Sequence, residues 1–372
     1  MSEDTSVSAK DNIDRSQAFA VYNVYRLVIG SVLFALTLSS TGSALLADEM
    51  PVQMHVAGIL IVSSLIIATL GPRSNLTSES GIFSASWKYS TNPKIRDWLK
   101  GVKMSIQNVL KNMWRDYLLL NPEAQRVVDT LLAEGESIVN DHIALRTFNV
   151  GVVALEECAK PFLALGYEEK DEYFFEAKKL RAKHYEYTAD PSTPKIFISE
   201  LLVNEFSIDF QAVVNSLVSY ISDDQVQRTD FFHSGRPWNV SLSQHETLLG
   251  ESDYGAWMAA IGYRPNHFTV SINNLKKYAD IHTLNDFLKS KGFKLNSSGG
   301  EVKGAPHVFL EQSSTVANKV EVEFTDGKKE IPSCYFEFAK RYPLDSGELY
   351  QGFIAKSADK IFESTNTYHA SQ

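Results

Sequence analysis

Residues 140–148 read Asn-Asp-His-Ile-Ala-Leu-Arg-Thr-Phe, NDHIALRTF. The apolar residues do not follow a helical stripe, and the pattern predicts a strand. An extended chain points alternate side chains to the same side. His142, Ala144, Arg146 and Phe148 therefore share one face, and Ile143, Leu145 and Thr147 share the other. The first face carries an imidazole, a small residue and a guanidinium, while the second can pack on a core. Ala144 leaves space between the two polar groups, as the wall of a pocket requires.

Two later stretches repeat the scheme. In NHFTVSIN (266–273) His267, Thr269 and Ser271 share a face opposite Phe268, Val270 and Ile272. This segment and the first both start at Asn just ahead of His, which suggests two related modules. In CYFEFAKR (334–341) Tyr335, Glu337, Ala339 and Arg341 share a face, with Phe336 and Phe338 behind. A carboxylate flanked by two phenylalanines is a poor choice for a solvated strand, and a buried carboxylate calls for a cation or a metal. Two imidazoles and one carboxylate from three strands make the facial triad that suits non-haem Fe(II). Three coordination positions then stay open, two for the carboxylate and keto oxygens of a 2-oxo acid and one for dioxygen. Arg146 stands roughly 13 Å from His142 along the strand, where its planar fork can take the far carboxylate of a dicarboxylic acid. The residue pattern leaves plainer readings open, with Glu337 in an ion pair with Arg341 or Lys340 and Arg146 in a surface salt bridge.

The rest of the chain sets bounds on function. With 372 residues it has room for one large domain or two modest ones. Lys and Arg number 36 against 45 Asp and Glu, a net charge of −9. That balance excludes a sequence-wide affinity for nucleic acid, though not a local basic pocket for a small acid. The two cysteines, Cys158 and Cys334, form no C-x-x-C pair, which fits a reducing compartment without a disulfide framework. Residues 1–19 read as a disordered tail. Within residues 20–75, the uncharged stretches Leu27–Leu46 and Val52–Gly71 have the length of a hydrocarbon core and predict a transmembrane helical hairpin. Its flanking Arg and Lys place both ends, and the catalytic part, on the cytoplasmic side of the inner membrane; a pair of buried helices and a gene-fusion or start-site artefact are the alternatives. Residues 76–94 form a Gly/Ser/Thr/Pro-rich linker. The catalytic metal-binding domain spans 95–372 and opens with helical spacing over 95–120 and 123–134, Pro122 standing near a helix start.

The blocks NDHIALRTF, SDYGAWMAAIGYRPNHFTVSINNL, GFKLNSSGGEVKG, LEQSSTVA, CYFEFAKRYP and LYQGFIAKSADKIFESTN resemble, in order, the 2-oxoadipate dioxygenase/decarboxylase family, also called 2-hydroxyglutarate synthases. The resemblance runs over roughly residues 105–366 and implies an α+β fold. Its centre would be a cupped, barrel-like sheet of the vicinal-oxygen-chelate kind, with helices around it and the hydrophobic hairpin in front. It implies Fe(2+) held by His142, His267 and Glu337, with Arg146 on the substrate carboxylate. It also implies a reaction: a 2-oxo dicarboxylic acid and O2 react, CO2 leaves, and the shortened chain incorporates both atoms of the O2, so that 2-oxoadipate yields 2-hydroxyglutarate in lysine breakdown. Gln312, Ser313, Tyr335, Thr269 and Ser271 are candidates to orient ligands or substrate. This catalytic part is more compact than the better-understood members, and the hydrophobic hairpin is no part of the family pattern. Two other functions stay open: a hydrolase or isomerase using Zn or Mn at the same triad, and a membrane-tethered sensor that binds a dicarboxylate without turnover.

Overall fold

The structure is a computed structural model that describes residues 105–354. The expected tail, hairpin and linker, and with them the inner-membrane anchoring, lie outside the described residues. Among the described residues no helix is long and apolar enough to cross a membrane.

Helix α1 (Ile106–Leu120) is capped by the Ser105 side chain and buries Ile106, Val109, Met113 and Tyr117. That spacing lays one apolar stripe against the sheet. Helix α2 (Pro122–Ala133) begins with Pro122 in its first turn, and the Asn121 side chain accepts from the Ala124 amide. Proline costs little there because the first-turn N–H groups have no helical partner.

Two βαβββ modules follow. The first runs β1 (Asn140–Phe148), α3 (Leu155–Leu165), β2 (Tyr167–Phe175), β3 (Leu180–Tyr187) and β4 (Lys195–Leu201). Three longer helices then intervene, α4 (Ile208–Val218), α6 (Leu242–Leu249) and α7 (Asp253–Ile261), with the single turn α5 (Asp223–Val226) after α4. The second module runs β5 (His267–Ser271), α8 (Ile281–Ser290), β6 (Lys303–Ala305), β7 (Leu310–Ser314) and β10 (Tyr335–Arg341). A hairpin of β8 (Lys319–Phe324) and β9 (Gly327–Pro332) is inserted before the last strand.

The eight module strands form one curled sheet in the order β2-β3-β4-β1-β5-β10-β7-β6. Each half has the same internal order: first strand innermost, fourth strand parallel to it, then the third and second. The halves meet where β1 runs antiparallel to β5. The two Asn-His stretches of the sequence are thus equivalent innermost strands, side by side.

Period two sorts the side chains as expected. Phe268 and Phe336 point outward, where the Trp114 ring of α1 meets them at 4.8 and 5.9 Å between centroids. Helix α7 is buried along its length from Tyr254 to Ile261. Small residues let it sit close: a Cβ on Gly255 would stand 2.6 Å from the Phe210 ring. Gly262 ends the helix with φ +78°, and a Cβ there would stand 2.5 Å from the backbone of Arg236, so only glycine fits. This helix presents Tyr254 and Trp257 to the end of β1.

Candidate metal centre

The strand registers place the polar side chains in cross-strand rows on the concave face. His142 of β1, Thr269 of β5 and Glu337 of β10 make one row; Ala144, His267 and Tyr335 make the next. Two ligands at the ends of one row and a third in the middle of the adjacent row form a triangle. Arg146 stands one row further along β1. The nitrogen and oxygen atoms of His142, His267 and Glu337 lie within 4.8 Å of one another, and all three residues are buried.

The orientation of each imidazole comes from the residue just before it. His142 Nδ1 donates to Asp141 Oδ1 at 2.9 Å, and His267 Nδ1 faces Asn266 Oδ1 at 3.1 Å. With the Nδ1 protons so engaged, both Nε2 lone pairs turn toward Glu337. His142 Nε2 is 3.5 Å from Glu337 Oε1, and His267 Nε2 is 3.2 Å from Glu337 Oε2. The Thr269 hydroxyl donates to His142 Nε2 at 3.1 Å. Asp141 reaches His142 because the β1–β5 register shifts between Asn140 and His142, and such a bulge re-aims a side chain.

Charge follows burial. Desolvation lowers the pKa of His142 and brings that of His267 well below its ordinary value, so both rings are neutral. Burial pushes the Glu337 carboxyl up to about 8, against a hydrogen bond from Gln312 that favours the ionised form. Burial alone would raise Asp141 too. There the Arg341 guanidinium wins and holds the carboxyl well below the usual range. Arg341 grips Asp141 with two bonds of 2.7 and 2.8 Å.

These donors fit a divalent cation. The His267 Nε2 lone pair faces Glu337 Oε2, a buried atom that receives no hydrogen bond, while His142 Nε2, which also accepts from the Thr269 hydroxyl, faces Oε1. Acceptors facing acceptors at 3.2–3.5 Å repel unless a proton or a cation lies between them. Ligands at right angles, each about 2.1 Å from a shared ion, are about 3 Å apart, close to the spacing found.

The remaining candidates divide. Gln312 Nε2 donates to Glu337 Oε1 at 2.6 Å. The Tyr335 ring stacks on His267 at 4.5 Å; its buried hydroxyl has no hydrogen-bond partner and feels both Glu337 and Arg146. Ser271 lies beside Ala339, a row beyond Thr269. Ser313 points to the opposite side of the sheet and donates to Asn285 of α8 at 2.8 Å. Gln312 and Ser313 are neighbours on one strand, so only one of them can face the cup. Arg146 is 2% exposed, and its guanidinium lies 4.8 Å from the Tyr254 ring and 4.8 Å from the Trp257 ring. A cavity of about 210 Å³ opens beside it, lined also by Lys179, Leu180, Phe206 and Ser252; the three metal-centre residues do not line this cavity.

Sequence reading missed Asp141, Asn266 and Arg341 as orienting groups, and Tyr254 and Trp257 as the clamp on Arg146. The available signal for the first two was their place directly before each histidine.

Residues 105–351 match the family model for 2-oxoadipate dioxygenase/decarboxylase. The chain belongs to this family. A relative from Arabidopsis thaliana, the chloroplastic 2-oxoadipate dioxygenase/decarboxylase, is 37% identical over 288 residues, 70% of this chain and 77% of the relative. The crystal structure of the hydroxyglutarate synthase from Oryza sativa in complex with 2-oxoadipate is 35% identical. It superposes with a TM-score of 0.68 and covers 71% of this chain and 93% of its own. A glyoxalase-superfamily protein from Ralstonia eutropha JMP134, 21% identical with a TM-score of 0.56, covers 66% of this chain and 85% of its own. That likeness places the mixed α+β fold and its curled sheet among glyoxalase-type structures.

Proposed function

We propose that this chain converts 2-oxoadipate and O2 to 2-hydroxyglutarate and CO2, using one Fe(2+) held by His142, His267 and Glu337. As a member of its family the chain is an oxidoreductase, a 2-oxoadipate dioxygenase/decarboxylase. One observation carries the assignment of the site: two neutral imidazoles and a buried carboxylate converge within 4.8 Å, one row from a buried arginine.

Bound iron would activate dioxygen and polarise the keto group, with the net electrons coming from the 2-oxo acid itself. The protein's own part is positional and electrostatic. Asp141 and Asn266 fix the ring orientations, and Gln312 holds one oxygen of Glu337 so that the other faces the ion. Arg146 takes the far carboxylate through its fork, with its plane set by the Tyr254 and Trp257 rings. The Tyr335 hydroxyl, buried without a hydrogen-bond partner and within electrostatic reach of Glu337 and Arg146, donates to a substrate oxygen. The deep burial of these groups keeps bulk water from the reacting end, which strengthens each of these interactions.

The test is an anaerobic Fe(2+) titration of the full chain, followed by 2-oxoadipate and oxygen. The expected result is equal amounts of O2 consumed, CO2 released and 2-hydroxyglutarate formed. CO2 without oxygen uptake would make the chain a plain decarboxylase, and turnover without CO2 or oxygen uptake, supported equally by Zn(2+), would replace this reading with a hydrolase or isomerase. Binding without any CO2 would replace it with a sensor.

A further inference from the structure

The concave face has a second occupant that comes from no strand. After β10 the chain returns, and Phe353 enters the first module's half of the cup. Its ring packs edge-on against His142 with centroids 4.8 Å apart. It also meets His184 at 5.3 Å, Phe197 at 4.9 Å and Tyr173 at 6.0 Å. The segment is anchored through polar groups. Arg341 donates to the carbonyls of Tyr350 and Gly352 at 3.0 and 2.8 Å. The Phe353 amide donates to the Tyr173 hydroxyl at 3.2 Å.

The two modules differ beneath this ring. His142 and His267 hold equivalent places on the two innermost strands. On the neighbouring strand, two positions beyond the register partner of each histidine, stand Phe197 in the first module and Glu337 in the second. The first module therefore offers a phenylalanine where the second offers a ligand. Phe353 covers that phenylalanine and the flank of His142. On the proposed function, a 2-oxo acid running from the metal centre toward Arg146 would pass along this aromatic surface.

We infer that Phe353 is a specificity-determining residue, a side wall that confines the cup to unbranched 2-oxo acids and excludes those with a bulky or aromatic substituent. This rests on the proposed function, because it takes the substrate to lie between the metal centre and Arg146. The span to Arg146 sets the length accepted, and Phe353 sets the width.

The experiment uses the full chain loaded with Co(2+), whose visible spectrum reports chelation without turnover. Wild type and the F353A, F353L and F353W variants are titrated with 2-oxoadipate and with phenylpyruvate. Wild type should respond to 2-oxoadipate and far more weakly to phenylpyruvate. In F353A the affinity ratio should move toward phenylpyruvate by at least about tenfold, the lower end of what an apolar pocket discriminates per methylene. F353L should move it part of the way, and F353W the opposite way. Ratios that stay within about twofold of wild type in variants that keep Co(2+) overturn the inference alone. If F353A fails to hold Co(2+), the leucine and tryptophan variants decide on the same criterion. A wild-type protein whose Co(2+) spectrum ignores 2-oxoadipate overturns the proposed function and this inference with it.

Discussion

Metal binding at this site should carry one proton. Burial raises the Glu337 carboxyl to about 8 and keeps the two imidazoles neutral. Below pH 8 an incoming cation must displace the Glu337 proton, while the histidines have none to lose. Affinity should therefore rise about tenfold per pH unit from pH 6 to 8 and level off above, about 100-fold in all or about 2.7 kcal/mol. The sign for the ion-free fold is opposite. Its Glu337 pKa lies above the ordinary 4.5, so folding binds a proton that the unfolded chain has released. That contribution is fully present below pH 4.5 and is lost, by roughly 1.4 kcal/mol per unit, as pH rises to 8. The assay is a chelator-competition titration with Mn(2+) or Co(2+) from pH 6 to 8.5, with proton release measured in buffers of differing ionisation enthalpy. Glu337→Gln should bind weakly with no slope over this range. A slope of zero in wild type would refute the reasoning, because the carboxylate would then already be ionised at pH 6. A slope near two would assign a proton to a histidine as well.

Further outcomes follow from the same contacts. Asp141→Ala removes the acceptor for His142 Nδ1 and leaves the Arg341 charge buried without its carboxylate; thermal unfolding should show a loss of about 3–5 kcal/mol. Gln312→Ala removes the bond that favours ionised Glu337. Metal affinity at pH 7 should fall about 10–100-fold, with the plateau of the pH profile displaced upward. Arg146→Lys keeps the charge but loses the fork. KM for 2-oxoadipate should rise about tenfold or more, whereas a monocarboxylic 2-oxo acid of equal length should show little change. Ser313→Ala lies on the far side of the sheet and should leave kcat and KM near wild type.

Much of the site was legible because three strands obey period two. One face of β1, β5 and β10 must pack on helices, so the polar residues at alternate positions had to point into the cup. The family blocks extended that reading to the whole fold. What escaped did so for physical reasons. Asp141 sits at a register shift, where alternation fails and a residue expected to face away reaches its neighbour's ring. Strand β4 is buried at every position, so its pattern gave no sign that Lys195 and Phe197 face the cup. The grip of Tyr254 and Trp257 on Arg146 depends on how α7 crosses the end of β1, a long-range contact that no local pattern encodes. Phe353 follows the last strand in irregular chain, and only the fold brings it to His142. The residue pattern leaves Arg341 open as a partner for Glu337; in the structure it pairs with Asp141, and the Glu337 carboxylate faces the two histidines and Gln312.

The central claim is that His142, His267 and Glu337 hold one ion together. Anaerobic Fe(2+) binding by the full chain and by the H142A, H267A and E337A variants tests it most directly, with far-UV circular dichroism confirming the fold of each. One tightly bound ion per wild-type chain, and loss of tight binding in every variant, is the predicted result. A folded H267A protein that retains iron at wild-type stoichiometry and affinity would contradict it.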